Sequence, residues 1–168
     1  MNCRLIPVIS IVAKSGTGKT TLLEKVIRKL KIDGIRLAVI KHDAHQFTMD
    51  QPGKDTWRLA QAGADVVAIS SPHKMAMIEK VTTEKSLDEM IAMISGVDLI
   101  LTEGFKRGDK PKIEVFRSTV HQELLCRPDE LLAIASDVDW QVGVPCYPLE
   151  DITGITGVIK QYMEDFTQ

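Results

Sequence analysis

Apolar residues along this chain fall into short continuous runs that alternate with stretches where they recur every three or four positions. The first run, Val8-Ile9-Ser10-Ile11-Val12, is too short for a helix and apolar enough for a strand buried on both faces. Between Thr20 and Lys31 the residues Leu22, Leu23, Val26, Ile27 and Leu30 share one helical face, and Gly34 supplies a stop. Arg36 to Ile40 predicts a second buried strand, ending in Lys41-His42-Asp43. Pro52-Gly53 marks a turn before a short helix through Trp57, Leu59 and Ala60 that stops near Gly63. Val66 to Ser70 and Met75 to Ile78 are strand candidates. Ser86 and Glu89 form a capping-box pattern ahead of a helix carrying Leu87, Met90, Ile91 and Ile94, which ends near Gly96. Val97 to Thr102 predicts a further strand, running into Glu103-Gly104, and Ile113 to Phe116 and Leu131 to Ala135 predict later ones. Ile155, Val158, Ile159, Tyr162, Met163 and Phe166 recur at helical spacing and define the last helix.

Continuous apolar strands alternating with amphipathic helices imply an α/β fold: a mainly parallel sheet covered on both faces, with ligands at the carboxyl ends of the strands. Short polar turns flank Met75 to Ile78 and Ile113 to Phe116, so one or both are expected to pair antiparallel at an edge. The 168 residues, 44% of them apolar, suit a single domain spanning 1–168. A net charge of −2 offers no general basic field for nucleic acid or an anionic membrane. Cys3, Cys126 and Cys146 are odd in number and lack CxxC spacing, which disfavours a disulfide framework and a structural zinc site and fits a reducing cytosol. The run from Met1 to Pro7 is too short for a signal peptide, and no segment reaches membrane-span length, so a cytoplasmic location is expected.

The densest chemistry lies in Ala13-Lys14-Ser15-Gly16-Thr17-Gly18-Lys19-Thr20, placed between the first strand and the first helix. That strand, loop, helix context is what a phosphate-binding P-loop needs, so the fold is read as a three-layer P-loop NTPase domain. Gly16 and Gly18 free the backbone to turn successive N–H groups toward a phosphate. Lys19 is expected on the β- and γ-phosphates and the Thr20 hydroxyl on Mg²⁺, with the helix N-terminus adding a favourable field. Thr21 completes the phosphate-binding set. Ala13 replaces the usual leading glycine at a position that closes a strand, where an extended backbone suffices. Lys14 is similar in place to the signature lysine of the dimerising P-loop class that includes the Min and nitrogenase iron protein ATPases, which reaches the partner's nucleotide. The plainer reading is a solvated loop lysine.

Other candidates sit where strands end. Glu103 closes the run Val97 to Leu101 and is the Walker-B-like acid, holding a Mg²⁺-bound water or orienting the attacking water, while Gly104 lets the chain turn away. Asp43, at the end of the second strand, is the second-choice catalytic acid. His42 and His45 invite a metal site, but with Asp43 they supply too few local ligands for a dedicated one. Lys106 to Lys112 is a basic, turn-rich loop that reads equally as a phosphate clamp or as a solvated loop. No NKxD guanine-reading tetrad occurs. Asp137, just past the strand at Leu131, can accept two hydrogen bonds from guanine N1 and N2, or cap a turn.

Taken together, Gly18-Lys19-Thr20-Thr21-Leu22, Lys41-His42-Asp43-Ala44-His45, Pro52-Gly53-Lys54-Asp55, Ala62-Gly63-Ala64, Leu101-Thr102-Glu103-Gly104-Phe105-Lys106 and Pro111-Lys112-Ile113-Glu114-Val115 run in an order that resembles the MobB family. These are the adaptor proteins of molybdopterin-guanine dinucleotide biosynthesis. The P-loop alone is shared by many NTPases, whereas the KHDAH and TEGFK segments together are specific. The resemblance implies a GTP-binding, Mg²⁺-dependent, weakly hydrolytic homodimer. It would assist a MobA-type guanylyltransferase in attaching GMP to molybdopterin, presenting GTP or handing over the finished cofactor. By that similarity Lys19 and Thr20 contact phosphate and Mg²⁺, and Glu103 is the acid. Ala13 and Lys14 depart from the glycine-led loop of the family. Two other classes stay open: a small-molecule kinase with Asp43 as base, and a non-catalytic carrier that uses the P-loop to hold a nucleotide-bearing cofactor.

Overall fold

The computed structural model describes residues 5–43 and 47–167. The chain forms two compact units, one of residues 1–42 with 90–168 and one of residues 43–89. The larger unit is built on six strands: β1 (Val8–Ala13), β2 (Leu37–Lys41), β5 (Leu99–Glu103), β6 (Lys112–Phe116), β7 (Leu131–Ser136) and β8 (Cys146–Pro148). They lie side by side in the order β2-β5-β1-β6-β7-β8, and every neighbouring pair is parallel.

Strand β1 sits inside this sheet with every residue buried, as its unbroken apolar run requires. Its alternate residues face opposite sides. Ile9, Ile11 and Ala13 join Leu99, Leu101, Ile113, Val115, Ala133 and Ala135 on one face. There they meet Leu22, Leu23, Val26 and Leu30 of helix α1 (Lys19–Ile32) and Ile155 and Ile159 of helix α4 (Ile152–Phe166). Each Leu, Ile or Val among them contributes about 1.5–3 kcal/mol by leaving water. On the opposite face, Val12, Phe116, Leu131 and Ile134 pack with Cys126, Leu124, Trp140, Val142 and Val144 from the irregular segments that flank β7. Two buried hydroxyls on that side satisfy each other: Thr102 Oγ1 donates to Ser10 Oγ at 2.8 Å.

Helix α1 ends as its sequence predicts. Gly34 takes φ +82°, its N–H bonds the Lys31 carbonyl and the Ile35 N–H bonds the Leu30 carbonyl, a Schellman closure that needs a residue without a Cβ penalty.

The smaller unit carries helix α2 (Asp55–Gln61) and an antiparallel hairpin of β3 (Val66–Ser71) and β4 (Lys74–Glu79), paired from Val66↔Glu79 to Ser71↔Lys74. Helix α3 (Leu87–Ala92) spans the boundary between the units, and the Ser86–Glu89 capping box opens it: Ser86 N–H and Oγ both donate to Glu89 Oε2, at 2.8 and 2.7 Å. Among the described residues no helix is long and apolar enough to cross a membrane.

The α/β parallel-sheet architecture is as expected, and Met75 to Ile78 does pair antiparallel, within its own hairpin rather than at the edge of the main sheet. Ile113 to Phe116, the other of the two segments, does not. It forms the interior of a parallel strand flanked by β1 and β7 and fully buried. The short polar turns that flank it suggested an edge, but the strand is interior and its two polar residues are satisfied there. Lys112, 1% exposed, donates from Nζ to the Gly108 carbonyl at 2.7 Å and to Glu130 at 3.0 Å. Glu114, fully buried, accepts from the Leu125 and Cys126 N–H groups at 2.7 and 3.0 Å. The short β8 and the 3-10 turn Pro128–Glu130 carry no periodic signal that would have predicted them.

Candidate functional site

The loop after β1 is an open turn at the carboxyl end of the central strands. Gly16 and Gly18 adopt φ +84° and +88°, the region that glycine enters without strain. Thr17, almost fully buried, anchors the turn by donating from Oγ1 to the Lys14 carbonyl at 2.9 Å. Lys14, Ser15, Gly16 and Gly18 are exposed. Gly18 stands at the N-cap of α1, and the first helical bond runs from Leu22 N–H to the Gly18 carbonyl. The amides of Lys19, Thr20 and Thr21 therefore lack intrahelical partners, no side chain caps them, and no acid occupies the first turn. Such a terminus attracts an anion.

Glu103 ends β5, the strand directly beside β1. It is 8% exposed, lies 3.4 Å from Lys19 Nζ and accepts from Thr20 Oγ1 at 3.3 Å. The structure thus brings Lys19, Thr20 and Glu103, three residues selected from sequence, to one point. The oxygens of Thr20 and Glu103 are hard ligands of the type Mg²⁺ prefers, and two protein ligands suit an ion that keeps waters and takes phosphate oxygens. Behind Glu103 the chain turns at Gly104, φ +108°. The end of β2 packs there: His42 N–H donates to the Glu103 carbonyl at 2.8 Å, and the His42 ring lies 5.2 Å from that of Phe105.

Asp43 is exposed and begins the smaller unit, one residue past His42. His45 lies outside the described residues. Among the described residues no group of three or more His, Cys, Asp or Glu side chains could hold a metal ion. In the basic loop Lys110 pairs with its neighbour Asp109 at 3.3 Å. Lys112 belongs to β6 and is spent on Glu130, so the clamp reading does not extend to it.

Asp137 follows β7, where its Oδ1 accepts from Ser118 N–H at 2.8 Å and its Oδ2 from Ser118 Oγ at 3.0 Å. Those bonds, the backbone one foremost, hold its carboxyl below the ordinary aspartate range. Each oxygen keeps a second lone pair. Between Asp137 and the P-loop lies a residue that pattern reading passed over. Arg117, first after β6, donates from Nε to the Thr17 carbonyl at 3.3 Å. The signal for it was present: a cationic residue at the carboxyl end of a buried parallel strand, the end at which this fold binds ligands.

Comparison with known proteins places the whole chain. The family model described as Molybdopterin guanine dinucleotide synthesis protein B matches residues 8–137. The Molybdopterin-guanine dinucleotide biosynthesis adapter protein of Escherichia coli (strain K12) is 37% identical over 95% of this chain and 95% of its own length. That of Haemophilus influenzae is 33% identical over 96% of this chain and 92% of its own. A crystal structure of molybdopterin-guanine biosynthesis protein B superposes with TM-score 0.73 at 29% identity, covering 94% of this chain and 99% of that one. A P-loop of this form, a neighbouring strand closed by TEGFK, and matches over nearly the whole chain have one common explanation: this protein is a member of the MobB family of molybdopterin-guanine dinucleotide biosynthesis adapters.

Proposed function

We propose that this adapter binds GTP with Mg²⁺ in its P-loop, hydrolyses it slowly, and in that way assists a MobA-type guanylyltransferase in joining GMP to molybdopterin in the cytoplasm. The observation that carries the reading is the convergence of Lys19 and Thr20 on Glu103 at an uncapped helix N-terminus. Lys19, now within 3.4 Å of a carboxylate, has the reach to turn to the β- and γ-phosphates. The free amides from Lys19 to Thr21 would bind phosphate oxygens, with Ser15 to Gly18 forming the rest of the cradle. Thr20 and Glu103 would hold Mg²⁺, which when bound neutralises charge on the phosphates. Glu103 would also orient water, and Asp137 would read guanine through its remaining lone pairs.

The test is incubation with GTP or ATP and Mg²⁺, with and without candidate acceptors. Slow GDP formation without an acceptor supports the reading, and its loss in Glu103→Gln at retained GTP binding supports the role of Glu103. Acceptor-dependent phosphorylation would indicate a kinase, and tight binding without turnover a carrier.

The homodimer has its own support. The β3–β4 hairpin exposes Val66, Met75 and Met77 on one face, at 50%, 69% and 49%, and Ile69 on the other at 58%. A two-stranded hairpin is marginal alone, and its open edges suit pairing with a second copy. Met75→Lys with Met77→Lys should convert a dimer to a monomer in sedimentation. A dimer of unchanged affinity would place the interface elsewhere.

A further inference from the structure

A cleft of about 510 Å³ opens at the carboxyl ends of β7 and β8, on the side of the P-loop that carries Arg117. Its lining includes Arg117, Asp137, Asp139, Tyr147 and Glu150. Glu150 is tied to α1 by Lys25, so the cleft lies alongside the helix that the P-loop opens. Three carboxylates make the cleft a poor place for phosphate and a good one for N–H and O–H donors, which a nucleoside supplies and a phosphate tail does not.

Arg117 stands between these two environments. Its Nε is fixed on the Thr17 carbonyl, and an Nη lies 3.7 Å from the point where a Cβ on Gly18 would stand, so the guanidinium rests against the P-loop backbone. Neither Nη has a hydrogen-bond partner among the described residues. A planar cation held at one edge, with a polar cleft beyond it, is arranged to meet a flat ring or a sugar.

We propose that Arg117 is the nucleoside-positioning residue of the site: its guanidinium plane supports the base and ribose of the nucleotide, which occupy the β7–β8 cleft while the phosphates occupy the P-loop. This rests on the nucleotide-binding reading above, extends it to the other half of the ligand, and predicts that phosphate binding and nucleoside binding are separable in this chain.

The experiment is calorimetric titration of the full chain with Mg²⁺ and either GTP or inorganic tripolyphosphate, for wild type, Arg117→Ala and Arg117→Lys, with thermal unfolding as a fold control. The expected result is a roughly tenfold or greater loss of GTP affinity in Arg117→Ala, with tripolyphosphate affinity within about threefold of wild type. Arg117→Lys should resemble the alanine variant, because lysine restores the charge and not the plane. Equal loss of both ligands would make Arg117 a support of the loop and overturn the proposal. Full GTP affinity in either variant would also overturn it. Wild type that binds neither ligand would refute the nucleotide reading itself, an outcome distinct from all of these.

Discussion

Substituting Gly104 by alanine perturbs the junction where Glu103 is presented, and the cost follows from two separate observations. The residue has φ +108°, a conformation that costs an L-residue roughly 1–2 kcal/mol. An added Cβ would also lie 3.0 Å from the His42 carbonyl oxygen and 3.3 Å from the His42 Cβ. The nearer atom is backbone, held by the bond from His42 N–H to the Glu103 carbonyl and by the pairing of Lys41 with Glu103, so it cannot swing aside as a side chain could. Forcing it away adds about 1–2 kcal/mol of overpacking. Gly34→Ala is the matched control: φ is +82° there and nothing lies within 4 Å of the added atom, so only the conformational cost applies. Urea denaturation should therefore show Gly104→Ala less stable than wild type by about 2–4 kcal/mol and Gly34→Ala by about 1–2 kcal/mol. Because relief of the contact displaces Glu103, Gly104→Ala should also weaken Mg²⁺-dependent GTP binding, while Gly34→Ala leaves it unchanged. Equal destabilisation by the two substitutions would refute the argument that the His42 contact, and not the dihedral alone, requires glycine.

Glu130→Gln should destabilise the protein by about 1–2 kcal/mol at neutral pH, since buried Lys112 loses its carboxylate partner. The backbone bond from Arg127 and then the bond from Lys112 hold the Glu130 carboxyl below the ordinary glutamate range. Its stabilisation is thus complete above the ordinary glutamate value and lost as pH falls from there through the lower folded value, so within that window the variant's acid unfolding profile should be shallower, and an unchanged profile would contradict this. The Cys126 thiol is pushed up to about 12, chiefly by burial and then by Glu114 and Glu130. In a Cys3→Ser, Cys146→Ser background it should resist thiol reagents at pH 8 until the protein unfolds, and rapid labelling of the folded form would refute that. Gly154→Ala improves helix propensity on paper, yet its Cβ would stand under 3.0 Å from the Tyr147 ring and the Asp151 carboxylate. It should lower the melting temperature, and a rise would contradict the packing described.

The strands and helices that bury themselves by simple periodicity were legible in the sequence: β1 and α1 follow their apolar patterns to within a residue or two, and α4 begins three residues before its first patterned residue, Ile155. The placement of the P-loop between β1 and α1 and of Glu103 at the end of β5 was legible too, because each follows a buried apolar run. The environment of β6 was not. Lys112 and Glu114 are buried there, and only the tertiary partners Glu130, Gly108, Leu125 and Cys126 make that burial tolerable. Those partners are local in space and unmarked in sequence. Arg117 escaped for a related reason, since one arginine after a strand carries no spacing motif, and its meaning comes from the Thr17 carbonyl it reaches. Asp137 was placed correctly at a strand end, while its bonds to Ser118 join two segments that nothing in the pattern links.

Calorimetric titration of GTP and ATP, each with Mg²⁺, into wild type and Lys19→Ala tests most directly whether the loop from Lys14 to Thr20 is a triphosphate site that serves guanine. The account predicts GTP binding tighter than ATP binding in wild type, and loss of both when Lys19 is removed. ATP bound at least as tightly as GTP would contradict the guanine assignment, and GTP affinity unchanged in Lys19→Ala would contradict the site itself.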